Sequence, residues 1–272
     1  MDFLTSKTLN NGVQIPIFGL GVFRSAAETK DAVKWALEAG YRHIDTAKIY
    51  GNEADVAKGI KESGVHRKDI FITTKLWNED MRQGKQREAF EKSLQLLETD
   101  YIDLYLIHWP VKGVYNQAWR IMEEYYKQGK IRAIGVSNFN QHHLEDLLSI
   151  SQVIPAVNQI ECHPHFTQKP LFDYCSEKGI ALEAWSPLGG GKLLSDAAIK
   201  VLADKYGKTA AQIIIRWHIQ RDTIVIPKSV HQDRIISNGE VFDFNISNED
   251  MAAITAMNQN KRVGSNPDTF TF

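Results

Sequence analysis

Short apolar runs alternate with segments of helical periodicity along almost the whole chain. Between the runs, apolar residues recur every three or four positions, as in residues 28–38, 87–97 and 116–127, which predicts amphipathic helices. Short strands that alternate with single helices pair in parallel through right-handed crossovers, and eight such units can close into a barrel. The predicted strands are residues 18–22, 43–45, 70–74, 103–107, 131–136, 156–160, 180–184 and 223–226.

This pattern predicts a single α/β domain over residues 1–272, with the architecture of a (β/α)8 TIM barrel. The longest gap precedes the last strand and has room for two extra helices, at residues 196–206 and 209–219. An open doubly wound sheet is the alternative. Its usual glycine-rich turn is incomplete here, because Gly19-Leu20-Gly21 is not followed by a third glycine at the required spacing.

The start of the chain predicts a β-hairpin. Residues 5–9 and 13–15 flank Asn10-Asn11-Gly12. Asn-Gly between two short alternating runs favours a type I′ turn, because that turn needs positive φ at its central residues.

Composition and charge narrow the function classes. The 272 residues include 32 Lys and Arg against 33 Asp and Glu, and the net charge of -1 argues against a surface built for nucleic acid or anionic lipid. Cys162 and Cys175 have neither disulfide-framework nor zinc-site spacing, which favours reduced thiols. No apolar run approaches the ~18 residues of a membrane span, and no secretory signal is visible, so we expect a cytoplasmic protein.

Polar residues follow several of the predicted strands at their carboxyl ends. In a closed parallel barrel these ends meet on one face, so residues far apart in sequence are expected to lie together. Charged residues in such a place need a reason, because an unpaired buried charge is costly. The strand-end residues are Asp45, Lys75, His108, Ser137, Asn138, Gln159, Trp185, Ser186, Lys228 and Ser229, with Tyr50 following Asp45 in the same loop.

Four of these side chains fit one chemical task. Lys75 paired with Asp45 is an anchored ammonium, which beside Tyr50 is expected to lower the pKa of the phenol from about 10. Such a tyrosine can protonate a carbonyl oxygen, and His108 can orient or polarise that oxygen. The structural alternatives are an ion pair, a packed core histidine and a rim aromatic. His43 shares a strand face with Asp45 and is expected to be a packed, hydrogen-bonded neighbour.

Longer stretches carry a more specific signature. They are Gly40-Tyr41-Arg42-His43-Ile44-Asp45-Thr46-Ala47, Tyr50-Gly51-Asn52-Glu53, Thr73-Thr74-Lys75-Leu76-Trp77, Leu106-Ile107-His108-Trp109-Pro110, Gly135-Val136-Ser137-Asn138-Phe139, Asn158-Gln159-Ile160-Glu161-Cys162-His163-Pro164, Ala184-Trp185-Ser186-Pro187-Leu188 and Ile226-Pro227-Lys228-Ser229. In this order and spacing the chain resembles the aldo-keto reductase family over nearly its whole length. It is most similar to short bacterial members such as 2,5-diketogluconate reductase and the glyoxal and methylglyoxal reductases.

The resemblance implies a barrel with the hairpin over its amino end, extra helices near the carboxyl terminus, and NADPH bound across the carboxyl-terminal face. It implies reduction of aldehydes and ketones, among them dicarbonyls, keto sugars and aromatic or aliphatic aldehydes, by hydride transfer from the nicotinamide. Tyr50 would be the general acid, with its pKa lowered by Lys75. Asp45 would anchor Lys75, and His108 would position the substrate carbonyl.

The resemblance also implies which residues bind the cofactor. Ser137, Asn138 and Gln159 would hydrogen-bond the nicotinamide carboxamide, and Trp185 would stack on its ring. The whole implied set is Gly21, Val22, Phe23, Asp45, Ser137, Asn138, Gln159, Trp185, Ser186, Leu188, Lys228, Ser229, Val230, Arg234 and Asn238.

The charges at one end of this set favour NADPH over NADH. Lys228, Ser229 and Arg234 would meet the adenosine 2′-phosphate, and two cations with a hydroxyl suit a dianion. Many family members place Glu before the Asn that contacts the adenine, whereas here Ser237 precedes Asn238.

The implied substrate is a small carbonyl compound, in an open pocket bounded by Phe23, Ile49, Trp77, Trp109 and the short tail of residues 262–272, with His108 as a further substrate contact. No metal is implied. We expect the protein to act as a monomer, because no exposed hydrophobic stripe indicates obligate assembly.

Two other functions are open. A metal-dependent barrel hydrolase would use imidazoles and a carboxylate near strand ends, from His43-Ile44-Asp45, His108 and His163-Pro164-His165. Against it, Lys75 would place a competing cation in the site. A non-catalytic member that retains the fold and binds NADPH is the other alternative, since a fold does not fix a function.

Overall fold

Eight parallel strands, in the order in which they occur along the chain, form the centre of the fold. The computed structural model describes residues 2–272, and in it a hairpin of β1 (Ser6–Thr8) and β2 (Gln14–Pro16) precedes these strands. The parallel strands are β3 (Leu20–Gly21), β4 (His43–Asp45), β5 (Phe71–Leu76), β6 (Ile102–Ile107), β7 (Ile131–Ser137), β8 (Val157–Glu161), β9 (Ala181–Trp185) and β10 (Ile224–Val225). Each predicted strand overlaps one of them, so the predicted barrel is confirmed.

The first and last strands join through backbone hydrogen bonds, which close the barrel. The N–H of Gly19 donates to the carbonyl oxygen of Val225 (3.0 Å), and the N–H of Val225 donates to the carbonyl oxygen of Ile17 (3.0 Å). A Cβ atom on Gly21 would lie 2.9 Å from the carbonyl oxygen of Ile226. The glycine at position 21 therefore permits this close approach of two strands.

Helices between the strands surround the barrel. They are α1 (Thr29–Glu38), α2 (Glu53–Ser63), α3 (Asn78–Arg82), α4 (Gln86–Leu96), α5 (Tyr115–Lys127), α6 (Gln141–Leu148), α7 (Lys169–Glu177), α8 (Ala197–Tyr206), α9 (Ala210–Gln220), α10 (Gln232–Gly239) and α11 (Asn248–Ala256). Every helix within residues 2–272 is too short or too polar to span a bilayer. The last two helices are the extra carboxyl-terminal helices that the family resemblance implies.

Helices α8 and α9 occupy the long gap before the last strand, as predicted, and their ends follow from local sequence. The side chain of Asp196 accepts hydrogen bonds from the first turn of α8, and Gly207 ends that helix with a φ of 62°. Thr209 and Gln212 then form a capping box that begins α9. These signals place both helix boundaries within one residue of the prediction.

The hairpin loop differs from the predicted type I′ turn. The N–H of Leu9 donates to the carbonyl oxygen of Val13 (2.9 Å), and of the three residues between them only Gly12 has positive φ, at 85°. This is the geometry of a three-residue loop, in which a type I turn precedes one left-handed residue. The hairpin is confirmed, but the turn type was wrong because Asn11 keeps negative φ.

The hairpin covers the amino end of the barrel. Leu9 and Ile15 are buried in one apolar cluster with Phe71, Leu104 and Ile224, which lie at or near the starts of β5, β6 and β10. Above this apolar layer the interior of the barrel changes character. Polar and charged side chains from alternate positions of the strands fill it, and they form the site described below.

Truncation of Ile15 tests the role of the hairpin as a cover. Because the Ile15 side chain is fully buried, we expect Ile15→Ala to lower the free energy of unfolding by about 2–5 kcal/mol. Leu4→Ala is the control, since Leu4 is 69% exposed, and it should change stability by less than about 0.5 kcal/mol. Urea denaturation measures both, and equal small effects would show that the hairpin does not support the barrel.

Candidate active site

A buried ion pair lies at the carboxyl-terminal end of the barrel. The Nζ atom of Lys75 donates to Oδ1 of Asp45 (2.6 Å) and to the carbonyl oxygen of Thr46 (2.9 Å). Strands β4 and β5 are adjacent and parallel, which brings the two charged residues together as the sequence predicts. Neither side chain has more than a few per cent of its surface exposed.

The pKa values of both members of this pair are raised. Burial alone would lower the pKa of Lys75, but the charge of Asp45 and the nearby phenol of Tyr50 outweigh it and raise that pKa. Burial raises the pKa of Asp45, and the charge of Lys75 opposes that rise. Because Asp45 touches the ammonium directly, we assign it as the ionised carboxylate of the interior.

Tyr50 lies beside this ammonium, in a single helical turn that follows β4. The Nζ atom of Lys75 is 5.3 Å from the centre of the half-buried phenol ring. Burial raises the pKa of Tyr50, while the charge of Lys75 lowers it, and the net direction is upward. The expectation of a lowered pKa was therefore wrong, because the effect of burial exceeds that of the ammonium. The phenol keeps its proton at neutral pH.

His108 completes the group as a neutral imidazole. Its ring meets that of Tyr50 edge to face at 5.8 Å between centroids, and that of Trp77 at 5.2 Å. Burial, and then the charge of Lys75, hold the pKa of His108 well below its usual range. Of the two nitrogens of this ring, Nδ1 is enclosed without a partner within residues 2–272, whereas Nε2 is not enclosed.

A second buried carboxyl group, Glu183 of β9, lies below the ion pair and was not identified from the sequence. Its Oε2 atom accepts a hydrogen bond from Nε2 of Gln159 (2.9 Å). Burial, and then the charge of Asp45, raise the pKa of Glu183 to about 8. His43 bonds to the hydroxyl of Thr73 (3.0 Å) and is the packed neighbour that the sequence predicts.

The residues expected to bind the nicotinamide form one hydrogen-bonded cluster. The amide nitrogen of Asn138 donates to the carbonyl oxygen of His108 (3.0 Å) and to the hydroxyl of Ser137 (3.1 Å). The amide oxygen of Asn138 accepts from Nε1 of Trp185 (2.8 Å). Ser137 in turn donates to the carbonyl oxygen of Gln159 (2.9 Å). These four side chains lie together, as expected.

Two backbone segments expected to line the cofactor flank this cluster. The N–H of Val22, next to Gly21, donates to the carbonyl oxygen of Asp45 (3.0 Å), so this segment runs beside the ion pair. On the other side Ser186 follows Trp185 directly and has a φ of 48°, which turns the chain sharply towards Leu188.

A positively charged surface follows β10. Lys228 and Arg234 are exposed and form no ion pair within residues 2–272, and Arg234 lies in the first turn of α10. The hydroxyl of Ser229 accepts from the N–H of His231 (3.1 Å) at that helix start. Val230 is half-buried in the same turn, and Asn238 is buried in α10. Free cations beside a helix N-terminus make this a favourable place for an anion.

Aromatic and aliphatic side chains surround the mouth above Tyr50. Phe23 is 52% exposed and packs on the Tyr50 ring (5.0 Å), and Ile49 is 46% exposed. Two of the other predicted pocket residues, Trp77 and Trp109, contact aromatic rings of the tail, which was predicted to bound the pocket without its rings being named. Phe272 stacks on Trp77 at 5.9 Å, and both Phe270 and Phe272 pack against the buried Trp109.

Side chains outside the tail bind its backbone at two places, and Asn140 also donates to the side chain of Asp268 (2.9 Å). The carboxylate of Glu161, at the end of β8, accepts hydrogen bonds from the backbone N–H groups of Val263 (2.5 Å) and Gly264 (3.1 Å). Further on, Arg82 and Asn78 donate to the carbonyl oxygen of Phe272. Glu161 lies within the motif of residues 158–164, but that motif gives no indication that Glu161 holds the tail.

The residues of the hydrolase alternative do not converge. His43 bonds to Thr73, whereas His163 bonds to Glu161 (3.0 Å), the residue that holds the tail. Among residues 2–272, the one group of three side chains with metal-ligand spacing is His142, His143 and Asp268, none of which belongs to that alternative.

Comparison with known proteins places this geometry in context. Residues 17–259 match the sequence model of the Aldo/keto reductase family. The chain is 54% identical to glyoxal reductase of Bacillus subtilis, covering 97% of this chain and 96% of the relative. It is 46% identical to the methylglyoxal reductase of Escherichia coli, over 96% of both chains. The structure of a Bombyx mori aldo-keto reductase in complex with NADP superposes with a TM-score of 0.91 at 40% identity, covering 97% of this chain and 96% of that one.

Removal of one charge from the buried pair tests its energetic role. Asp45→Asn leaves the Lys75 ammonium buried without a counter-ion, so we expect the free energy of unfolding to fall by about 3–5 kcal/mol. The control is Asp173→Asn, which breaks the exposed Lys169–Asp173 pair and should cost less than about 1 kcal/mol. Chemical denaturation at pH 7 compares the two. A similar small loss in both variants would mean that Lys75 finds another partner or loses its proton.

Proposed function

Because the chain belongs to the Aldo/keto reductase family, we propose that it uses NADPH to reduce aldehydes and ketones to alcohols, with Tyr50 as the proton donor. The observation that carries the proposal is the convergence of Tyr50, a charged Lys75–Asp45 pair and a neutral His108 at one end of the barrel. Small dicarbonyl compounds are the first substrates to examine, since the similar chains include a glyoxal reductase and a methylglyoxal reductase.

Tyr50 is suited to donate a proton rather than to act as a base. Hydride addition to a carbonyl carbon places a negative charge on its oxygen, and the alcohol forms when that oxygen takes a proton. The raised pKa of Tyr50 keeps its phenol protonated over the neutral range. The adjacent Lys75 ammonium then stabilises the phenolate that remains, until a solvent proton restores the phenol.

His108 has a complementary role. The imidazole is neutral because burial and Lys75 disfavour its charged form, so it cannot compete with Tyr50 as the acid. Its open Nε2 atom can donate a hydrogen bond to the same carbonyl oxygen. Two donors on one oxygen hold the carbonyl in place and stabilise the charge that develops there.

The cluster around Gln159 fits the carboxamide end of a nicotinamide cofactor. Bound NADPH would supply the hydride, from the C4 position of its dihydropyridine ring. On the protein side, Oε1 of Gln159 has no hydrogen-bond partner within residues 2–272 and is not enclosed, so it is available to a ligand. The indole of Trp185, fixed through its N–H to Asn138, offers a flat face beside it.

The charges after β10 support NADPH over NADH. Lys228 and Arg234 have no carboxylate partner among the described residues, and Ser229 adds a hydroxyl at the start of α10. This combination suits a phosphate dianion and would be largely unused by a ribose hydroxyl. Asn238, buried in the same helix, remains our candidate for the adenine contact.

We also propose that the chain acts as a single-domain monomer in a reducing compartment. Large exposed hydrophobic residues away from the mouth, such as Leu4, Ile154 and Val201, are scattered over different elements. Cys162 and Cys175 are both unpaired and buried. These features support a protein without an obligate partner and without structural disulfides.

Tyr50→Phe tests the proton donor. We expect kcat for methylglyoxal reduction to fall by ~10²-fold or more, because the general acid is lost, while the Kd for NADPH stays near wild type. Tyr174→Phe, in the outer helix α7, is the control and should retain full activity. Steady-state kinetics and NADPH fluorescence supply the measurements, and a Tyr50→Phe enzyme with normal kcat would assign the acid elsewhere.

Arg234→Met tests the phosphate contact. Loss of one charge-assisted hydrogen bond should weaken NADPH binding about 10-fold or more, and leave NADH binding nearly unchanged. Lys200→Met, an exposed substitution in α8, should alter neither. Titration of the four protein–cofactor pairs, followed by fluorescence, gives the comparison. An equal loss for NADPH and NADH would refute recognition of the 2′-phosphate by Arg234.

A further inference from the structure

The side-chain amide of Gln159 is held by two carboxyl groups at once. Its Nε2 atom donates to Oδ2 of Asp45 (2.7 Å) and to Oε2 of Glu183 (2.9 Å), which uses both of its N–H bonds. The amide oxygen therefore points away from the two acids. Since two acceptors face the nitrogen, a turned amide would set its oxygen against carboxyl oxygens, which is unfavourable.

Glu183 has no other partner that explains its burial. Its second oxygen, Oε1, accepts no hydrogen bond within residues 2–272, and the nearest ring nitrogen, Nε2 of His43, lies 3.6 Å away and bonds to Thr73 instead. A buried acid is unfavourable unless its interactions compensate. Among residues 2–272, the one hydrogen bond that Glu183 makes to another side chain is the bond from Gln159.

The charge balance of the interior agrees with this. Hydrogen bonds link one ammonium, Lys75, to Asp45, and link both Asp45 and Glu183 to Gln159. Asp45 touches the ammonium at 2.6 Å, whereas Glu183 touches no cation. Burial, and then the charge of Asp45, raise the pKa of Glu183 to about 8, which agrees with this difference in contacts. A protonated Glu183 still accepts from Gln159 through its Oε2 carbonyl oxygen.

We propose that Glu183 is a positioning residue: with Asp45 it grips the amide nitrogen of Gln159, and so holds the Gln159 carbonyl oxygen towards the mouth to accept a hydrogen bond from the carboxamide NH2 of the nicotinamide. The inference rests on the proposed use of NADPH. It adds a residue that touches neither cofactor nor substrate.

The other polar side chains near the proposed nicotinamide site already have hydrogen-bond partners, so the Gln159 oxygen is the acceptor left for a ligand. Both N–H bonds of the Asn138 amide are engaged, and its oxygen accepts from Trp185. The hydroxyl of Ser137 donates to the backbone of Gln159. Among the side-chain amides and hydroxyl of this set, Oε1 of Gln159 is thus the one unengaged atom. An acceptor there selects the NH2 end of a carboxamide, which fixes the rotation of the ring.

A comparison of two ligands separates positioning from general support of the fold. Adenosine 2′,5′-bisphosphate carries the phosphate that Arg234 is proposed to bind but has no nicotinamide. We expect Glu183→Met, which keeps the side-chain length without an acceptor, to weaken NADPH binding about 3- to 10-fold, the worth of one hydrogen bond. The Kd for the bisphosphate should not change. Fluorescence titration and calorimetry measure the two constants.

Glu183→Gln is the conservative control. Its amide oxygen can still accept from Gln159, so the Kd for NADPH should return to near the wild-type value. If Glu183→Met does not fold, Glu183→Leu, which also lacks oxygens and is smaller, takes its place in every measurement.

A double-mutant cycle identifies the residue through which Glu183 acts. Gln159→Met alone should weaken NADPH binding, and adding Glu183→Met to it should weaken binding no further. Additive losses, equal losses for NADPH and the bisphosphate, or an unchanged Kd in Glu183→Met would each overturn the inference. If the wild-type protein binds neither NADPH nor the bisphosphate, the proposed function itself fails, which is a distinguishable outcome.

Discussion

The buried contact between Lys75 and Asp45 is the interaction on which the rest of the site depends. Two charges removed from water need close mutual contact and further hydrogen bonds, which the backbone of Thr46 and the amide of Gln159 supply. The same two charged groups also interact with their other neighbours. The ammonium sets the electrostatic environment of Tyr50 and His108, and the carboxylate helps to orient Gln159. The proposed proton donation and the proposed cofactor placement therefore share one ion pair.

The barrel could be predicted from the sequence because parallel strands buried on both faces give continuous apolar runs, and because strand ends in a barrel converge. The same convergence of strand ends places Asp45, Lys75 and His108 at one face of the barrel from the sequence alone. The hairpin loop could not be predicted in full. Asn11-Gly12 fits a two-residue turn as well as a three-residue loop, and the difference is the φ of a single residue.

Within the site, the sequence predicts which residues lie together better than it predicts how deeply each side chain is buried. The pKa of Tyr50 depends on how deeply the phenol is buried, and no spacing reports that depth. Glu183 was missed, although a signal existed: it is a lone acid at an inward position of an otherwise apolar strand, two residues before Trp185. The rings of Phe270 and Phe272 lie on a tail without regular structure, whose path follows from single contacts that leave no periodic pattern.

That tail is fixed to the barrel at Glu161 and again where Asn78 and Arg82 meet Phe272, whereas the charged interior lies below it on other strands. The part of the entrance that Phe270 and Phe272 form is thus encoded by a different stretch of chain from the proposed acid–base residues. Changes in a few residues between these two attachment points can therefore alter the range of substrates. The proposed acid–base residues would stay the same. A mutant library confined to residues 265–271 would therefore vary substrate selectivity without changing the charged interior of the barrel.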